Sequence, residues 1–244
     1  MKYGILGDIH GNLSALRACL QHLQEARVDC LISLGDVVGY GAAPGACIDL
    51  LREAGAIVVQ GNHDAAVAGQ LDLRWFNPFA ARSVRWTRSA LSLEQLAWLG
   101  SLPLRLDLED CSIAHGTYDK PERFRYVRGP EDGESSLEAL PRPVGFVGHT
   151  HQPLTLLRLA DDPHRTSYTH EPFVDLNGVQ KALINVGSVG QPRDLDSRAA
   201  CALFDSEAGF VRLDRLEYDL EREAERILDA GLPSQLGERL RRGA

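Results

Sequence analysis

No apolar run in this chain approaches the roughly 18 residues that a membrane-spanning helix needs. The start lacks a leader pattern: Met1-Lys2 passes straight into Tyr3-Gly4-Ile5-Leu6, too short for the core of a signal peptide. Positive charge is also scarce. Lys and Arg total 26 against 34 Asp and Glu, a net charge of −8, which argues against stable nucleic-acid binding through a broadly basic surface. A small phosphorylated substrate held by local charges is still compatible with that balance. Cysteine is sparse: Cys19, Cys30, Cys47, Cys111 and Cys201 are odd in number and contain no C-x-x-C. They read as reduced, mostly core thiols of a cytoplasmic protein. There is no P-loop and no Gly-x-Ser-x-Gly elbow. What remains is ordinary for a globular chain: 244 residues, 44% hydrophobic and 25% charged. That excludes disorder, collagen and coiled coil, and fits one domain spanning residues 1–244.

One pattern recurs over the first two thirds. A short apolar run ends in glycine, then a polar residue: Lys2–Leu6 before Gly7-Asp8, Cys30–Leu34 before Gly35-Asp36, Ala56–Val59 with Gln60 before Gly61-Asn62. Runs of four or five such residues suit buried strands of a largely parallel sheet. Leu13, Leu16, Leu20 and Leu23 predict a helix over 12–27 capped by Asn12, and Pro44 starts a second to about Ala54. The near-equal steps from Asp8 to Asp36 to Asn62 match successive β-α units, so all three should emerge at one sheet edge.

Residues 78–100 read as two helices, the second opened by a Ser92/Gln95 capping box. Leu104–Glu109 and Cys111–Ala114 form a hairpin pattern. Strand-like segments follow at 153–159, 166–170, 182–186, 200–205 and 209–217, and a charged helix, Asp219–Ala230, closes the fold. Glu131–Pro141 and Asp161–Pro172 read as polar loops.

The polar residues at the ends of apolar runs are Asp8, His10, Asp36, Asn62, His63, His115, His149 and His151. Singly, each is an ordinary turn residue or a satisfied histidine. Converging on one sheet edge, they would repel or desolvate one another unless a cation lay between them. Imidazole with carboxylate and amide oxygen, without thiolate, selects divalent Mn, Fe, Zn, Co or Ni. Seven such donors are too many for one tetrahedral zinc. They suit two ions about 3.5–4 Å apart sharing a carboxylate, an arrangement that drives phosphoryl displacement.

Asp8-Ile9-His10, Gly35-Asp36, Gly61-Asn62-His63-Asp64, His115-Gly116 and Gly148-His149-Thr150-His151 resemble, in order, the five motifs of the calcineurin-like metallophosphoesterase superfamily. The resemblance spans residues 4–151, and Asn185–Arg193 is similar to the family's Asn-Pro-Gly-Ser segment. The order and spacing look closest to its small bacterial and archaeal phosphodiesterases. The resemblance implies an α/β/β/α sandwich of two mixed sheets flanked by helices. It implies that Asp8, His10 and His151 hold one metal, that Asn62, His115 and His149 hold the other, and that Asp36 bridges both. His63 would face the leaving-group oxygen without ligating. With an ordinary pKa near 6.5 it would supply a proton near neutral pH.

The implied reaction is in-line attack by a metal-bridging hydroxide on a small or nucleotide-like phosphodiester. A dinucleoside polyphosphate hydrolase and a phosphomonoesterase are the alternatives within the class. A metal-binding interaction scaffold is the alternative outside it, and it would have no need of His63. The Gly-Asp-x-x-Asp-Arg-Gly of protein Ser/Thr phosphatases is replaced by Gly35-Asp36-Val37-Val38-Gly39-Tyr40-Gly41, so that family's phosphate-binding Asp-Arg is missing. Gly39–Gly45 reads as a flexible loop at the site edge. Tyr40 either stacks on a substrate base or packs. Arg193 either binds phosphate or pairs with Asp194 or Asp196. Trp75, Trp86 and Trp98 read as core, Arg82, Arg85 and Arg88 as a solvated face, and Ser188 as a turn residue.

Overall fold

The computed structural model describes all of residues 1–244. In chain order the elements are β1 (Lys2–Leu6), α1 (Leu13–Glu25), β2 (Cys30–Ser33), α2 (Pro44–Glu53), β3 (Ile57–Val58), α3 (Asn62–Ala68), α4 (Pro78–Ala90), α5 (Leu93–Ser101), β4 (Arg105–Asp107), β5 (Cys111–Ala114) and α6 (Pro130–Ala139). They continue as β6 (Val144–Val147), β7 (Leu154–Leu159), β8 (Thr166–Thr169), β9 (Phe173–Asp175), β10 (Val179–Asn185), β11 (Ala199–Asp205), β12 (Phe210–Leu216), α7 (Leu220–Asp229) and α8 (Ser234–Arg242).

The strands form two six-stranded sheets, ordered β3-β2-β1-β11-β12-β9 and β4-β5-β6-β10-β7-β8. Parallel pairing is confined to β1, β2 and β3 in the first sheet and to β5, β6 and β10 in the second. The other pairs are antiparallel. Both sheets are therefore mixed: a crossover helix joins the parallel pairs β1–β2, β2–β3 and β5–β6, whereas β10 returns parallel to β6 after β7, β8 and β9.

Period-two alternation distributes β1 between two cores. Tyr3 and Ile5 point between the sheets, with Ile32, Leu34, Ile113, Phe146, Ile184 and Phe204. Leu6 points outward to a helical layer that includes Leu16, Leu23, Ile48 and Leu99. Gly4 shares that outward face, and a Cβ there would lie 2.9 Å from Leu23, so its absence lets α1 close onto the sheet. On the far side Leu137 and Leu140 cover Val147, Leu156 and Leu183. The layer order is α/β/β/α. No helix is long and apolar enough to cross a membrane, and all five cysteines are free thiols.

Local signals explain the element ends. Asn12 accepts a hydrogen bond from the Ala15 amide to cap α1, and Ser92 with Gln95 forms the reciprocal cap of α5. Four expectations need correction. The 131–141 stretch is helix α6, whose apolar face is thin (Gly133, Ser136, Leu137) and depends on packing rather than periodicity. Asn62 and His63 lie not at a strand end but in the first turn of α3. After α7, α8 packs Leu236 and Leu240 against Ile227, so residues 219–230 do not close the fold. Trp75 is 82% exposed.

Candidate metal centre

The turns after β1, β2, β5 and β6, with the start of α3 beyond β3, deliver their polar residues to one edge shared by the two sheets. Asp8, His10, Asp36, His63, His115, His149 and His151 are all buried there. Their donor atoms form three overlapping sets within 4.8 Å: Asp8, His10 and His151; His10, Asp36 and His63; Asp36, His115 and His149. Asn62 Oδ1 joins the third at 3.2 Å from His115 Nε2. Asp36 lies between the outer sets, its Oδ2 3.6 Å from His10 Nε2 and 3.4 Å from His115 Nε2.

The backbone bends sharply to achieve this. Nine non-glycine residues have positive φ, and six of them are Asp8, His10, Asp36, Tyr40, His149 and His151. Each such conformation costs on the order of 1–3 kcal/mol, which surrounding contacts must offset. Ser188 supplies one contact, donating to the Asp8 carbonyl at 2.7 Å. Asp64 supplies others. It accepts from the Val38 amide at 3.2 Å and the Gly61 amide at 3.0 Å, tying the Asp36 loop to the Asn62 loop. The sequence pattern includes Asp64 only as the last residue of the Gly61–Asp64 motif and does not reveal this role. Its signal was only an acid two residues after the Asn.

Three imidazoles are oriented alike. Nδ1 of His10, His115 and His151 lies 3.0, 2.8 and 2.5 Å from the carbonyls of Val38, Leu34 and Gln191. A carbonyl only accepts, so Nδ1 carries a proton in each and Nε2 points to the centre, where neutral His10 and His151 present a lone pair. Burial also pushes His10, His149 and His151 well below the ordinary histidine range, keeping them neutral. His115 differs. Burial pushes it down, but the adjacent Asp36 carboxylate outweighs that and raises it to about 9. Burial pushes Asp8 up to about 7. Converging lone pairs, a buried carboxylate between them and no thiolate are a donor set that fits divalent transition ions.

His63 is enclosed by rings: Tyr40 at 4.5 Å, His10 at 4.9 Å and Phe76 at 5.0 Å between centroids. Its amide donates to Asp36 Oδ1 at 2.8 Å, and its Nδ1 has no partner. Burial lowers its pKa to about 4, so it does not titrate near 6.5 in the metal-free chain. Tyr40 is packed against His10 and His63 rather than open to solvent. Arg193 makes neither anticipated ion pair, because Asp194 is held by Arg215 and Asp196 by Arg198. Its Nη2 instead lies 3.2 Å from Gln191 Oε1 and 3.5 Å from the Tyr40 hydroxyl, and its Nε is buried without a partner. Arg82, Arg85 and Arg88 are exposed, and Ser188 is a turn residue bonded to backbone.

An α/β/β/α sandwich with a His/Asp/Asn cluster at the edge shared by its two sheets is the architecture of a metal-dependent phosphoesterase. The chain belongs to the calcineurin-like phosphoesterase superfamily, whose domain matches residues 1–209. It is 35% identical over 240 residues to an uncharacterised protein of Methanocaldococcus jannaschii, covering 97% of this chain and 96% of that one. The crystal structure of a metallophosphoesterase from Sphaerobacter thermophilus superposes with a TM-score of 0.85 at 37% identity, covering 100% and 99% of the two chains. Serine/threonine-protein phosphatase 1 of Salmonella typhimurium is 32% identical over 130 residues, 47% of this chain and 58% of the phosphatase. The protein is a metal-dependent phosphoric ester hydrolase.

Proposed function

We propose that residues 1–244 act as one catalytic domain that hydrolyses small or nucleotide-like phosphodiesters with two divalent ions. Asp8, His10 and His151 would hold one ion, Asn62, His115 and His149 the other, and Asp36 would serve both. The observation that carries this reading is the position of Asp36 Oδ2, within 3.6 Å of an imidazole Nε2 from each outer set. When bound, the ions neutralise phosphoryl charge and make water acidic enough to act as nucleophile near neutral pH.

The chain's own residues supply the rest. The carbonyls of Val38, Leu34 and Gln191 keep three imidazoles aimed inward, and Asp64 holds Asp36 and Asn62 in register. Arg193 has spare donors beside the centre to orient a phosphate oxygen. His63 is neutral in the free chain, and an arriving phosphate anion favours its protonated form. A ring nitrogen then transfers a proton to the departing oxygen. The free thiols support a reducing, cytoplasmic setting.

The test is elemental analysis with a substrate panel: bis-p-nitrophenyl phosphate, p-nitrophenyl phosphate, cyclic nucleotides and diadenosine polyphosphates. Two ions per chain and preference for diesters support the reading. Preference for polyphosphates or monoesters moves the chain to those readings. Metal binding without turnover on any of them identifies a scaffold. A protein-phosphatase role is disfavoured because Gly39-Tyr40-Gly41 stands where the phosphate-binding Asp-Arg-Gly would be.

A further inference from the structure

Beside the centre opens a cavity of about 520 Å³ whose wall includes Asn62 and His149, so its contents would adjoin any phosphoryl group held there. Its other walls are unusually aromatic for a surface depression. Trp75 and Phe76 contribute from the connection between α3 and α4, and Phe124 and Tyr126 from the connection between β5 and α6. Trp75 is 82% exposed and covers no core, so packing does not account for it.

Phe124 is held at φ +46, an uncommon conformation for a bulky residue. The loop approaches so closely that a Cβ on Gly116 would lie 2.8 Å from the Arg125 carbonyl. Tyr126 stacks on His149 at 4.1 Å and 7°, with the Arg128 guanidinium 4.5 Å from its ring. Tyr126 therefore braces a candidate ligand, while Trp75, Phe76 and Phe124 keep surface free. The cavity thus reaches the candidate ligands Asn62 and His149, and Phe76 separates it from His63, whose ring it touches edge-on. Leu71, Glu122 and two cations complete the wall. Arg125 is paired with Asp119, whereas Arg123 has only a 3.9 Å contact with Glu122 and remains available.

We propose that this cavity is a nucleobase subsite: Trp75, Phe76 and Phe124 take the base of a nucleoside phosphoester whose phosphorus sits at the His/Asp cluster. The inference rests on the phosphoesterase reading above and narrows its substrate class. A planar π-face suits stacking on indole and phenyl rings, which tolerates any base. A single phenyl group would fill only a small part of the volume, and the cavity of about 520 Å³ lies in the usual range of small-molecule sites, with room for a base and its sugar. Arg123 suits the anionic remainder of such a ligand.

The test is calorimetric binding to the manganese-loaded protein. The ligands are the phosphonate isosteres of AMP and of ribose 5-phosphate, with a methylene in place of the ester oxygen, and benzylphosphonate. The base should tighten binding at least about tenfold over the ribose compound, within the range of one base–aromatic stack. That ratio should fall to about threefold or less in Trp75→Ala and Phe124→Leu and persist in Trp75→Phe. Equal affinity for the two ribose-bearing ligands, or a ratio unmoved in both variants, overturns the subsite. Benzylphosphonate binding as tightly as the AMP isostere overturns the nucleoside assignment. Hydrolysis of bis-p-nitrophenyl phosphate, measured in parallel, separates the two readings. Turnover without a base preference sinks the subsite alone, and a base preference without turnover on any phosphoester sinks the catalytic reading alone.

Discussion

His10 and His151 face each other Nε2 to Nε2 at 3.1 Å, and each has its Nδ1 proton committed to a backbone carbonyl. Two lone pairs so placed repel unless a cation or a proton lies between them. The pair is therefore less favourable in the metal-free chain than in the loaded one. His151→Ala should leave about one ion per chain in place of two under saturating manganese, and Asp36→Asn should lose both. Elemental analysis after gel filtration reads this directly. Chelation should lower Tm, since each ion at a hundredfold excess over its Kd contributes about 2.7 kcal/mol. His151→Ala should cost less stability in the chelated protein than in the loaded one.

His115 predicts how loading depends on pH. Burial opposes its charge, but Asp36 raises it to about 9. The metal-free fold thus holds a proton that ligation must displace. Metal affinity should rise from pH 7 to pH 9 and then level off, with about one proton released per chain near pH 7.5. The sign is opposite for metal-free stability. A histidine raised above its unfolded value stabilises fully below about pH 6.5 and loses that contribution as pH climbs through 9. Calorimetry in buffers of different ionisation enthalpy measures the proton count. An affinity flat across this window would contradict the His115–Asp36 coupling.

Two glycines should separate metal holding from His63 placement. A Cβ at Gly61 would lie 2.1 Å from Asp36 Oδ1, and one at Gly39, whose φ is +91, would lie 2.4 Å from His63 Nδ1. Gly61→Ala should weaken both ions. Gly39→Ala should keep them and reproduce the kinetic loss of a His63 variant. Gly55→Ala, at φ +66 with nothing within 4 Å, controls for backbone strain alone and should change stability without changing metal content or turnover.

The strand ends were legible because each buried run stops at a glycine and a polar donor. This is why Asp8, Asp36, Asn62, His115, His149 and His151 could be assembled from spacing and motif order. The positive φ at most of these positions has no sequence signature for Asp or His, so the bent geometry was not visible. Neither was α6, whose helical face is too thin to show periodicity. Trp75 was misjudged because exposure of a tryptophan is decided by the absence of a tertiary partner, and single-sequence pattern cannot register that. The desolvation of His63 was hidden for the converse reason: Tyr40, Phe76 and His10 enclose it from separate segments.

Arg193 was ambiguous between phosphate and surface carboxylates, and its geometry shifts the balance. Both neighbouring acids are occupied by other arginines, and the guanidinium retains an unpartnered buried Nε. Charged hydrogen bonds contribute about 1.5–3 kcal/mol, so Arg193→Ala should lower kcat/KM roughly 10- to 100-fold with metal content intact. Arg193→Lys should recover part of that, because a point charge replaces a fork. Loss of metal in Arg193→Ala would instead assign it to holding the Gln191 turn that orients His151.

His63 separates catalysis from scaffolding. It is one residue from Asn62, its amide bonds Asp36, and rings enclose it on three sides. Burial holds its pKa at about 4, so it is uncharged at neutral pH. A phosphate anion alongside favours the imidazolium, which places the proton beside the leaving group only when substrate is present. General acid catalysis of this kind contributes about 10²–10⁴-fold, and its benefit depends on what departs. A ribose or alkyl oxygen leaves poorly without a proton, whereas p-nitrophenolate needs little help. His63→Ala should keep its metals and its far-ultraviolet spectrum. It should lose most of its rate on alkyl and nucleoside esters and distinctly less on p-nitrophenyl esters. Equal loss on both classes would assign His63 to stabilising phosphoryl charge or positioning Asp36. An unchanged rate on a genuine alkyl ester would remove it from the mechanism.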